Sequence, residues 1–140
     1  LARFVASIAV ALLALLTACS GKVRHDFGGG GRAQADALVL RDAPAVELSI
    51  WEGAILFDLR DYDQWAQGHI QGARHTRLED LDRGRGLPQD KNAPLLFMGE
   101  SPMDNRPEQA ADIALQRGYT SVQIFPGGWR MWVDAHAARE

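Results

Sequence analysis

Residues 54–73 read AILFDLRDYDQWAQGHIQGA, and this stretch decides the fold. Ala54-Ile55-Leu56-Phe57 is a continuous apolar run, the pattern of a strand buried on both faces. Asp58 and Arg60 follow at the strand's end, two apart and so on the same side, where they can brace neighbouring loops through charge-assisted hydrogen bonds. Asp61 to Ala66 predicts one or two helical turns, with Tyr62 and Trp65 three apart. Gly68 stops that helix. Gly68 and Gly72 permit tight backbone geometry around His69 and Ile70, and Ile70 to Arg74 predicts a further short strand.

Outward from this segment, strand and helix signals alternate. Leu38-Val39-Leu40 predicts a short strand. Pro44 suits the first turn of a helix over Ala45–Trp51, which Gly53 ends. Leu78 and Leu81 indicate a small helix before the polar loop Asp82 to Asn92. Pro94 to Met98 is the next buried strand. Pro107 opens the clearest helix, which runs to Arg117 with Gly118 as its cap. Its stripe is Ala110, Ile113, Ala114 and Arg117. Ser121 to Phe125 is the last strand. After the turn Pro126-Gly127-Gly128, a terminal helix spans Trp129 to Ala137 with Trp132 pointing inward. The class is α/β, a single domain with a central, mostly parallel sheet and helices on both faces.

The motif residues Asp58, Arg60, Gly68-His69-Ile70 and Gly72-Ala73 resemble the rhodanese signature D-x-R, an aromatic position, then G-H-I-x-G-A. The likeness continues in order through Leu95–Met98, Asn105-Arg106, Ala110-Ala111, Gly118-Tyr119, Val122, Gly127-Gly128 and Trp132, from roughly Leu38 to Ala137. It implies a rhodanese-like fold in which Asp58, Arg60, His69 and Gly72 are structural, with His69 packed and hydrogen-bonded beneath the loops.

The same resemblance makes Gly99-Glu100-Ser101-Pro102-Met103-Asp104-Asn105-Arg106 the decisive segment. In active members the loop after this strand begins with a nucleophilic cysteine, and four residues separate it from an arginine that precedes a helix. Arg106 matches that arginine. Counting back from it puts Ser101 at the cysteine's position, and counting forward from the strand puts Gly99 there, so the loop is enlarged by two residues. Neither residue is cysteine. A serine hydroxyl forms no persulfide and needs an adjacent base, yet the loop holds no histidine or lysine. Glu100 and Asp104 bring negative charge where an anionic substrate would approach, and Pro102 removes one backbone donor.

The only cysteine is Cys19. Arg3 and the apolar run Phe4 to Leu16 precede it; thirteen residues are too few for the roughly 20 a spanning helix needs. They fit the apolar region of a secretory signal peptide. Leu16-Thr17-Ala18-Cys19-Ser20 resembles the lipobox of bacterial lipoproteins, whose cysteine carries fatty acyl chains, palmitate among them. An ordinary signal peptide with an incidental cysteine is the alternative. The expected organisation is a lipoprotein signal peptide over 1–18, a lipidated tether over 19–34 containing Gly28–Gly31, and a rhodanese-like domain over 35–140. Ser20 in place of an aspartate favours, by resemblance to Gram-negative lipoproteins, the outer membrane facing the periplasm.

Composition narrows the function classes. A net charge of −3 with no basic stripe argues against nucleic acid. Lys22, Arg24, His25 and Arg32 are few and spread out, as in a solvated tether. His25, His69, His75 and His136 lack metal-ligand spacing, so no metal and no cofactor are expected. The leading expectation is a membrane-anchored module of the cell envelope without a catalytic residue, partnered by the membrane through Cys19 and by an envelope protein or a small anion. The alternative is a sulfurtransferase-related or hydrolytic enzyme that uses the enlarged loop or a partner's cysteine.

Overall fold

The computed structural model describes residues 37–137, so the signal segment, Cys19 and the tether lie outside the described residues. Five strands, β1 (Leu38–Val39), β2 (Ile55–Asp58), β3 (Arg74–His75), β4 (Leu95–Met98) and β5 (Val122–Phe125), form one sheet in the order β1-β5-β4-β2-β3. Every pairing is parallel. The connecting helices are α1 (Ala43–Trp51), α2 (Tyr62–Gln67), α3 (Leu78–Asp82) and α4 (Arg106–Gln116), and α5 (Gly128–Ala137) closes the described chain.

Alternation along the strands divides the core in two. Phe57, Leu95, Phe97 and Ile124 face α3 and α4, with Leu81, Ala110, Ala111 and Ala114 completing that layer. The Phe57 and Phe97 rings stack at 5.3 Å between centroids. Leu56, Leu96, Met98 and Phe125 face the other way against Val46 of α1, with Trp129 and Trp132 of α5 packed alongside. Because β2 and β4 are covered on both faces, their sequences are unbroken apolar runs rather than alternating ones. The small alanines of α4 let the helix lie close on the sheet. The expected class and the inward Trp132 agree with this arrangement.

Two local expectations need correction. The strand expected over Ile70–Arg74 is instead Arg74–His75. Ile70 is buried and its carbonyl accepts the Ala73 N–H at 2.9 Å, so residues 70–73 close a turn in which Gly72 takes a φ of 83°. Helix α1 also starts earlier than expected, because Asp42 caps it by accepting the Ala45 N–H at 2.9 Å.

In a parallel sheet the loops after the strand C-termini share one edge, where ligand sites of open α/β sheets concentrate. Asp58, Thr76 and the segment 99–105 all sit on that edge.

Candidate functional site

Asp58 and Arg60 form the floor. Asp58 is the last residue of β2, and its carboxylate accepts the Arg60 main-chain N–H at 3.0 Å, Nε at 3.1 Å and Nη2 at 2.8 Å. Both side chains are buried. Arg60 Nη2 also donates to the Gly68 carbonyl at 2.7 Å, and the guanidinium lies 4.3 Å from the centroid of the Trp129 ring. The ion pair thus pins the β2 exit to the end of α2 and the start of α5.

His69 departs from expectation. It is exposed, its ring stacks on Trp65 at 4.2 Å, and its Nδ1 pairs with the Trp65 carbonyl at 3.0 Å. It therefore finishes α2 and does not support the loops from below. His75 does that, with Nε2 2.9 Å from the Arg60 carbonyl. Gly68 is equally ordinary in its backbone, with a φ of 171° that any residue adopts; its contribution is the carbonyl that receives Arg60.

The loop Gly99–Asn105 between β4 and α4 folds around one carboxylate. Asp104 Oδ2 accepts the Glu100 N–H at 2.9 Å and Arg106 Nη2 at 2.7 Å. Its Oδ1 accepts the Arg106 N–H at 3.1 Å and Nε at 2.8 Å. A turn with Pro102 inside it, closed by Asp104 N–H to the Ser101 carbonyl at 2.9 Å, delivers that side chain inward. Burial raises the Asp104 carboxyl's pKa, but the Arg106 guanidinium and the two amides together outweigh it and hold it below the ordinary carboxylate value. Arg106 gains correspondingly from its hydrogen bond to Asp104, and its Nη1 reaches Asp61 at 3.3 Å.

The loop interior has no room left. A β-carbon added at Gly99 would fall 2.3 Å from Asp104 Oδ2. The space a side chain at position 99 would need is therefore taken by the chain's own carboxylate. Gly128 closes the structure from outside, with a φ of 62° and a β-carbon site only 2.5 Å from the Gly99 carbonyl oxygen. That close approach lets the α5 N-terminus donate its amides to the loop, Trp129 N–H to Gly99 O at 2.9 Å and Arg130 N–H to Glu100 O at 3.0 Å.

Both acids of the loop are held by arginines, Asp104 by Arg106 as above. Glu100 points between Arg60 Nη1 at 3.7 Å and Arg130 Nε at 3.5 Å. Its Oε2 is buried without a hydrogen bond among the described residues. Ser101 Oγ receives only the Met103 N–H, at 3.4 Å, and Met103 is exposed at the loop's tip. Asp61, Gly128, Trp129 and Arg130 also build this site, and their sequence positions carried no such signal. They reach the loop from α2 and α5, over separations of about 30 to 45 residues that only folding closes.

A parallel five-stranded sheet with this loop between β4 and α4 defines the class: the chain belongs to the rhodanese-like domain family, whose model matches residues 42–135. Among relatives, the thiosulfate sulfurtransferase GlpE of Pseudomonas putida (strain GB-1) is 35% identical over 97 residues, covering 67% of this chain and 83% of that protein. The human single-domain sulfurtransferase TSTD1 superposes with a TM-score of 0.59 at 23% identity, over 71% of this chain and 96% of that one. The Bacillus anthracis CoADR-RHD structure does so with a TM-score of 0.63 at 22% identity, over 76% of this chain and 18% of that one. The domain is thus related to sulfurtransferases.

Proposed function

We propose that this chain is a rhodanese-like module without sulfur-transfer chemistry, serving the cell envelope as a lipid-anchored binding or accessory domain. The observation that carries this reading is the Asp104 carboxylate. It occupies the loop interior, takes Nε and Nη2 of Arg106 and the Glu100 amide, and fills the space beside Gly99. Sulfur transfer of the kind named for GlpE needs a thiolate to accept sulfur, and residues 20–140 contain no cysteine. A hydrolytic role for Ser101 lacks support from its surroundings, since no base contacts the hydroxyl among the described residues.

The decisive assay is thiocyanate formation from thiosulfate and cyanide by the purified full chain, run beside an esterase and phosphatase panel. Only background rates are expected, unchanged in Ser101→Ala and Arg106→Ala. Catalysis lost on either substitution would refute the non-catalytic reading. The anchor is supported by the lipobox-like sequence ending at Cys19, and by the tether length that separates it from Ala37.

A further inference from the structure

Two strands away from the loop, a cleft of about 330 Å³ opens at the C-terminal end of β3, lined by His75, Thr76, Arg77, Asp80, Arg85 and Gly86. The sulfurtransferase-type loop does not contribute to it. We propose that this cleft is a separate binding site for a small organic molecule bearing a single oxyanion head, a carboxylate, sulfonate or phosphate ester.

Three observations converge. The first is how charge is presented. Asp80 holds Arg77 Nε at 3.2 Å and Arg85 Nη1 at 3.5 Å, yet the carboxylate side chain is 24% exposed while the two arginines are 68% and 67% exposed. The arginines are far more exposed than the acid, so an incoming ligand meets positive charge first. The triad keeps a net charge of +1, which favours an anionic head.

The second is backbone geometry that serves this placement. Gly84 and Gly86 take φ values of 74° and 78°, and the Arg85 N–H between them donates to the Asp80 carbonyl at 2.7 Å. This left-handed double bend folds Arg85 back over Asp80, and L-residues with side chains rarely adopt it. The third is Thr76. It is only 9% exposed, it lines the cleft, and its hydroxyl makes no hydrogen bond among the described residues. The hydroxyl oxygen is reached by solvent from the cleft, and an oxyanion there would accept from it. The volume sits at the small end of ligand pockets, which suits a small organic molecule behind the oxyanion head.

Calorimetric titration of the full chain in detergent, with inorganic phosphate, thiosulfate and phenyl phosphate, tests this. Phenyl phosphate is expected to bind saturably and at least fivefold more tightly than inorganic phosphate, and more weakly as salt rises. Arg85→Gln and Thr76→Val should each weaken it fivefold or more, and Arg106→Gln should leave it unchanged. Flat titrations, or binding insensitive to Arg85→Gln and Thr76→Val, would overturn the proposal. Binding lost only in Arg106→Gln would place the anion in the loop instead, and would also contradict a self-filled loop. Thiocyanate formation by the full chain would overturn the non-catalytic reading and leave this one standing.

Discussion

At the scale of single residues, Asp104 acts as an internal ligand. Four hydrogen bonds converge on it, two of them charge-assisted from one guanidinium. Its pKa is depressed in the folded state, so its stabilisation is full above the unfolded carboxyl's pKa and disappears as the pH falls through the folded value. Asp104→Asn should therefore lower stability by about 1–2 kcal/mol at neutral pH. The gap from wild type should close as the pH drops below about 4. Urea unfolding across that range measures it, and a gap independent of pH would show that the charge is not what matters. Asp58 is the opposite case, a buried acid under a buried arginine. Asp58→Asn leaves Arg60 uncompensated in the interior and should cost about 3–5 kcal/mol, read as a shift in the denaturant midpoint.

At the scale of elements, the loop 99–105 is clamped between two helices. The N-terminus of α5 binds its carbonyls, and Arg106 at the start of α4 binds its carboxylate. Gly99 and Asp104 compete for one space, so they should couple energetically. Gly99→Cys alone should destabilise the domain by about 1–3 kcal/mol through overpacking. Adding Asp104→Ala should recover much of that loss. A double-mutant cycle with no coupling would mean that the loop rearranges freely. Gly128→Ala meets main-chain atoms of the same loop and needs a left-handed backbone, so a cost of about 2 kcal/mol or more is expected from thermal or urea denaturation. Because the obstacle is backbone, no side-chain rotation relieves it.

At the scale of the whole molecule, one sheet edge gathers everything with chemical character. The self-filled loop follows β4, the braced ion pair follows β2, and the arginine-rimmed cleft follows β3. The described residues begin at the opposite edge, just before β1. Replacing Cys19 with Ala should release the protein from membranes into the soluble fraction. Phenyl phosphate affinity should be unchanged in the released form. Retention of the variant in washed membranes would rule out the lipid anchor.

The sequence by itself determined the α/β class, the parallel sheet and the family. Apolar runs at Ile55–Phe57 and Leu95–Met98, short and preceded by Gly53 and Pro94, carry the pattern of strands covered twice, and the glycines and prolines punctuate the helices between them. It also determined that the loop Gly99–Asn105 before Arg106 holds no thiol. What it left open was where side chains point. Ile70–Ala73 carries a strand's composition but closes a turn, because only Arg74 and His75 find partners on β2. The support beneath the loops expected of His69 is provided by His75, whose Nε2 meets the Arg60 carbonyl, while His69 stacks on Trp65 at the surface. Glu100 and Asp104 read as negative charge in the path of an approaching anion, with no partners visible. The tertiary structure turned them inward, because Arg60, Arg106 and Arg130 converge there from separate elements and a carboxylate is most stable where those donors meet.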